Sequence, residues 1–89
     1  MNARILRVRP EAVHFREIEN EIVAVDVAGG EYFTVNRAGT ELWPVLLEGT
    51  TVERMAARLD QRFGLGAERA QADAAAFVEA LDARGLLEP

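Results

Sequence analysis

The stretch from Gly29 to Trp43 constrains this chain more than any other part of it. It reads as a turn at Gly29-Gly30, a short strand over Glu31–Val35, a cap at Asn36 and a helix that is strongly apolar by Leu42-Trp43. Tyr32 and Thr34 alternate with Phe33 and Val35, so a strand here shows different side chains to its two faces. Asn36 follows at once, and its side chain can accept the free backbone N–H groups of a helix's first turn. With no slack between strand and helix, one edge of a small sheet is held rigidly against a helical body.

Upstream, Met1 to Glu11 reads as a flexible lead-in that stops near Pro10. Ala12 to Ile18 reads as a first strand with Val13 and Phe15 inward, and Glu19-Asn20 as a turn. Glu21 to Ala28 follows as a second strand, with Val23, Val25 and Val27 on the core face and Ile22, Ala24 and Asp26 on the other. A one-residue slip inverts every side chain, so the apolar pattern should set the register. It favours a three-residue turn with a left-handed glycine, pairing Val25 with Phe33 and Val23 with Val35 and leaving Asp26 opposite Tyr32 on the outer face.

Downstream, a first helix is expected from about Arg37 to Glu48, burying Ala38, Leu42, Val45 and Leu46. Pro44 inside it lacks an N–H and should kink it. Trp43, beside Leu42 and Leu46, reads as a packing residue. Gly49 stops this helix, and Thr50 with Glu53 fits a capping box for the next. That second helix turns Val52, Met55, Ala56, Leu59 and Phe63 inward and ends at Gly64. A third runs from about Ala67 to Arg84 with Ala67, Ala70, Ala74, Phe77, Val78 and Leu81 as its stripe. Its alanine-lined first half would let something approach closely, with Asp73 on the flank. The fold class is α+β and winged-helix-like: a three-stranded antiparallel sheet followed by three helices. Residues 12–89 form one domain of a chain that is 49% hydrophobic, enough for a core without staples.

The composition excludes several chemistries. There is no Cys, hence no disulfide, thiolate metal site or cysteine nucleophile. His14 is the single histidine and reads as solvated or structural rather than catalytic. Asp and Glu are scattered without matching His, so neither a metal nor another cofactor is expected. No glycine-rich loop precedes a helix in the manner of a phosphate cradle. The basic residues are all arginine, and the net charge of −5 argues against a nucleic-acid surface. A winged-helix DNA reader is the rival plan, yet its third helix would carry Glu68, Asp73, Glu79 and Asp82 against Arg69 and Arg84. No apolar run is long enough to span a bilayer, and no signal peptide is present, so a cytoplasmic protein is expected.

The run Gly30-Glu31-Tyr32-Phe33-Thr34-Val35-Asn36, then Gly39, Leu42-Trp43 and Glu48-Gly49-Thr50, resembles the pattern of PqqD-like proteins. Asp73, Phe77-Val78, Leu81 and Gly85-Leu86-Leu87 extend the resemblance, which covers about Ala12 to Leu87. Members of this family are recognition elements for ribosomally made, later modified peptides. The resemblance implies a non-enzymatic module that binds a precursor's leader by adding it as a strand to the third strand, in the cleft with the third helix.

Carried onto this chain, the implied peptide-binding residues are Glu31, Tyr32, Phe33, Thr34, Val35, Arg69, Ala70, Asp73, Ala74 and Phe77. Phe33, Val35, Ala70, Ala74 and Phe77 would line pockets, Tyr32 and Thr34 would present edge backbone, and Asp73 or Arg69 would read a polar leader residue. With no fused enzyme before Pro89, the module is expected to act in trans. Its partners would be the leader and, in lasso-peptide biosynthesis, a leader peptidase and a cyclase. Delivery to a radical enzyme in pyrroloquinoline quinone assembly is the family's other role. A monomer is expected, although an open edge strand also invites dimerisation.

Overall fold

The computed structural model describes residues 4–89, in the order β1 (Val13–Ile18), β2 (Glu21–Asp26), β3 (Glu31–Val35), α1 (Arg37–Glu48), α2 (Val52–Phe63) and α3 (Ala67–Ala83). The three strands form one antiparallel sheet in the order β1-β2-β3. Glu19 and Asn20 both take positive φ, 52° and 67°, and make the two-residue turn that joins β1 to β2. Such a turn has the twist that two antiparallel strands need. Fold class and element order are those the sequence implies.

The face of β2 is the reverse of the expected one. Ile22 pairs with Val35, Ala24 with Phe33 and Asp26 with Glu31, so Ile22, Ala24 and Asp26 face the core. Val23 and Val25 lie on the outer face, opposite Thr34 and Tyr32. The loop is four residues, Val27 to Gly30, rather than three, and Gly30 takes the left-handed conformation at its end (φ 69°). The inner face accepts this carboxylate because Asp26 stands at the strand's end, where the turn satisfies it. Its Oδ1 accepts from the Gly29 N–H at 3.1 Å, and its carbonyl accepts from the Gly30 N–H at 2.7 Å. Aspartate bonding its own turn is a turn signal in its own right, and here it outweighs the pattern of valines.

Asn36 caps α1 as expected, its Oδ1 accepting from the Gly39 N–H at 2.8 Å. The helix runs unbroken through Pro44 and stops at Gly49. Trp43 is buried, its ring set edge-on to Phe15 with centroids 5.3 Å apart. Among the described residues its indole N–H has no acceptor. Burying roughly 200 Å² of indole at about 25 cal/mol per Å² gives about 5 kcal/mol, against about 1–3 kcal/mol for the unmade bond, so packing wins. The cap of α2 lies one residue beyond the expected one: Thr51 Oγ1 accepts from the Arg54 N–H at 3.2 Å. Thr50 is engaged elsewhere, in a bridge to Leu6.

That bridge corrects a second expectation. Met1 to Ala3 lie outside the described residues, but the segment after them is held by backbone bonds and sends two side chains into the core. Leu6 and Val8 are both 1% exposed. Leu6 and Thr50 exchange N–H···O bonds of 2.6 and 2.9 Å, and the Val8 N–H donates to the Leu46 carbonyl at 3.0 Å. The Arg9 N–H reaches the Leu86 carbonyl at 2.7 Å, and Glu88 returns a bond to Arg7 at 2.8 Å. Alternation of apolar and charged residues from Leu6 to Arg9 was the available signal, and it is the pattern of a half-buried strand. No helix among the described residues is long and apolar enough to cross a membrane.

Two changes test this packing. Leu6→Ala should cost about 2–5 kcal/mol of stability, as for other fully buried leucines, read from denaturant unfolding. A chain beginning at Pro10 should likewise melt well below the full chain. Equal midpoints for the two chains would contradict a packed N-terminal segment.

Candidate functional site

A three-stranded sheet has two free edges, and in this one they differ. The hollow that reaches β1 spreads over the sheet as far as Tyr32 of β3 and is lined by strand residues alone, among them His14, Phe15, Ile18, Val23 and Val25. Beside β3 runs a groove whose other wall is helical. Phe33, Thr34, Val35 and Asn36 line one side and Phe77, Ala80, Leu81 and Arg84 the other, around about 220 Å³. An unpaired strand edge offers a row of backbone N–H and C=O groups, and here that row lies next to apolar side chains.

The junction of β3 with α1 holds the groove open. Thr40 Oγ1 donates to the Val35 carbonyl at 3.3 Å and accepts from the Ile22 N–H at 3.4 Å, joining β2, β3 and α1 at one hydroxyl. Gly39 occupies the crossing of α1 with Val35 and Phe77. A Cβ there would overlap the Val35 side chain and stand 2.7 Å from the Phe77 ring. Real Cβ atoms do not come that close, so only glycine leaves Phe77 where it stands, half-buried in the groove wall.

The site residues expected from the sequence divide into three groups. Phe33 and Phe77 face each other across the groove and Val35 forms its buried floor. Tyr32 is 80% exposed on the outer face of the sheet opposite Val25, so it contributes backbone to the edge and its ring points elsewhere. Thr34 is exposed at the groove, and Glu31 begins the strand. Arg69 and Asp73 pair with each other at 3.6 Å, two turns and one turn before Phe77 on the same helical line.

Ala70 and Ala74 do not line a cleft. Both are completely buried in the core, on a helix that packs against α2. The small face of α3 serves helix packing, and the groove runs along the other half of the helix. Asn36, Ala80, Leu81 and Arg84 are the lining residues that sequence reasoning missed. Their signal was spacing from Phe77: Ala80, Leu81 and Arg84 follow it at three, four and seven residues, on one helical face.

Arg84 closes the end of the groove where β3 begins. Its guanidinium lies over the Phe33 ring, 4.4 Å from the centroid, and its Nη1 is 3.5 Å from Glu31 Oε1. A larger cavity of about 560 Å³ lies between the β1–β2 turn and the helices. Its arginines are engaged: Arg58 and Arg62 both pair with Glu41, at 3.0 and 3.3 Å, and Arg37 stacks on Phe63. Among the described residues, no group of three or more His, Cys, Asp or Glu could hold a metal ion.

Known proteins place this arrangement. The family model described as coenzyme PQQ synthesis protein D (PqqD) matches residues 21–87. TbiB1 in complex with the TbiA(beta) leader peptide superposes with a TM-score of 0.81 at 26% identity, over 92% of this chain and 94% of that one. A lasso peptide synthetase B1 complexed with the leader peptide gives a TM-score of 0.79 at 26% identity, over 94% and 98%. No curated protein is a significant match.

Gly39→Ala tests the crossing. Overpacking of this kind costs about 1–3 kcal/mol, which lowers the melting temperature of a domain this size by on the order of 10 °C. An unchanged melting curve would mean that the crossing relaxes without strain.

Proposed function

The chain belongs to the PqqD family, and on that footing we propose that it captures the leader of a ribosomally made precursor peptide by adding it as a fourth strand to the free edge of β3. The observation that carries this reading is the coincidence of an unpaired edge with an apolar groove at Phe33, Val35 and Phe77. Structures similar over nearly the whole chain are complexed with leader peptides, which supports it.

Magnitudes say why both features are needed. Main-chain bonds along a five-residue edge, at about 1 kcal/mol each, give a few kcal/mol. A micromolar complex requires about 8 kcal/mol net of entropic costs. The remainder must come from leader side chains burying apolar area between Phe33 and Phe77, at about 25 cal/mol per Å². Arg69 and Asp73 extend the same line of α3 and would meet polar residues of the leader beyond the apolar segment.

The role is one of binding, and the chemistry belongs to the enzymes that receive the peptide. Lasso-peptide biosynthesis is the setting favoured by the similarity to a lasso peptide synthetase B1, with a leader peptidase and a cyclase as recipients. The family's description favours a second setting, pyrroloquinoline quinone assembly with a radical enzyme as recipient. In either, the module acts as a monomer whose edge is occupied by the leader rather than by a second copy.

A fluorescence titration of a labelled precursor leader tests the reading, with duplex DNA as control. Phe33→Asp and Phe77→Asp should each weaken binding by at least about tenfold, the cost of placing a charge in an apolar groove. Tyr32→Ala should leave affinity within about threefold, since its ring faces away. Tight DNA binding without peptide binding would replace this reading with that of a winged-helix regulator.

A further inference from the structure

The end of the groove has a charge that the strand edge alone does not require. Arg84 is the C-cap residue of α3, and a cation there suits the negative end of the helix dipole. Its guanidinium lies flat over Phe33, which fixes one face of the fork against the groove wall. Among the described residues its one side-chain acceptor is Glu31, reached through Nη1 at 3.5 Å. Glu31 is held loosely, since 72% of its side chain is exposed. Exposed pairs of this kind contribute little and exchange readily. A guanidinium carries five N–H donors in a planar fork that matches a carboxylate at two points, so most of that capacity is unused.

Resting on the strand-addition reading above, we infer that Arg84 is a specificity-determining residue that selects a leader with an acidic side chain at the position lying over Phe33 and Glu31. Strand addition covers this end of the groove and removes water from the guanidinium. A charge in a drier place interacts more strongly with both friend and foe. An aspartate or glutamate on the leader then takes the open side of the fork, and Glu31 keeps or yields the Nη1 corner. A lysine or arginine at that position meets Arg84 directly and is rejected. Arg69, the other cation on this line of α3, is already paired with Asp73 and stands two turns before Phe77, outside the residues that line the groove. The preference is therefore local to one leader position and does not reflect general attraction of acidic peptides to a chain of net charge −5.

The test is a selection from a display library of random peptides of about twelve residues, long enough to cover a five-residue edge with flanks. It is run on the full chain, on Arg84→Gln, on Arg84→Glu and on Phe33→Asp, with thermal melting to verify that each is folded. The wild-type pool should be enriched in Asp or Glu at one fixed distance from its apolar segment, with Lys at that place weakening binding roughly tenfold. Arg84→Gln should lose the preference while retaining apolar peptides, and Arg84→Glu should reverse it to Lys or Arg. That reversal cannot come from unfolding. Peptides that enrich on wild type but not on Phe33→Asp, and that show no charge preference, overturn this inference and leave strand addition standing. Failure of any peptide to depend on Phe33 overturns both.

Discussion

The crossing of α1 with β3 is the constraint on which the rest depends. Asn36 ends the strand and caps the helix in one residue, its Oδ1 bonded to the Gly39 N–H at 2.8 Å. One turn on, Thr40 ties the Val35 carbonyl to the Ile22 N–H. Between them Gly39 lets the helix come close enough for Val35 and Phe77 to pack across it. These contacts involve few residues and modest energies, about 1 kcal/mol per neutral hydrogen bond. They nonetheless fix the angle at which sheet and helices meet, and so the width of the groove.

The core supplies the stability that lets this junction stay rigid. Trp43, Leu42 and Leu46 from α1 meet Met55 and Leu59 from α2, and Leu81 from α3, all nearly or fully buried. Leu6 and Val8 complete it from the N-terminal side. Helix packing consumes the alanine face of α3, which leaves its Phe77–Arg84 line for the groove. The division follows from size: alanines allow helices to approach closely, whereas phenylalanine and arginine need room at an edge.

Much of this was legible in the sequence, and what was not has physical reasons. Helix limits were readable because Asn36, Gly49, Gly64 and Gly66 punctuate them with strong local preferences. β3 and its inward Phe33 and Val35 were readable from alternation. The register of β2 was not, because its two faces are both apolar: Ile22 and Ala24 against Val23 and Val25. With so little contrast, the turn decided, and Asp26 bonding Gly29 outweighed the pattern. Ala70 and Ala74 were misplaced for a similar reason. A small-residue face says that something packs closely there but does not say what, and α2 occupies it.

The account turns on one edge of the sheet, and amide hydrogen exchange with and without a bound leader reads that edge directly. Strand addition to β3 predicts slowed exchange over Glu31–Val35 and along Phe77–Arg84, with β1 from Val13 to Ile18 unchanged. Protection of β1 instead, or of the cavity between the β1–β2 turn and the helices with β3 still exchanging freely, would contradict it.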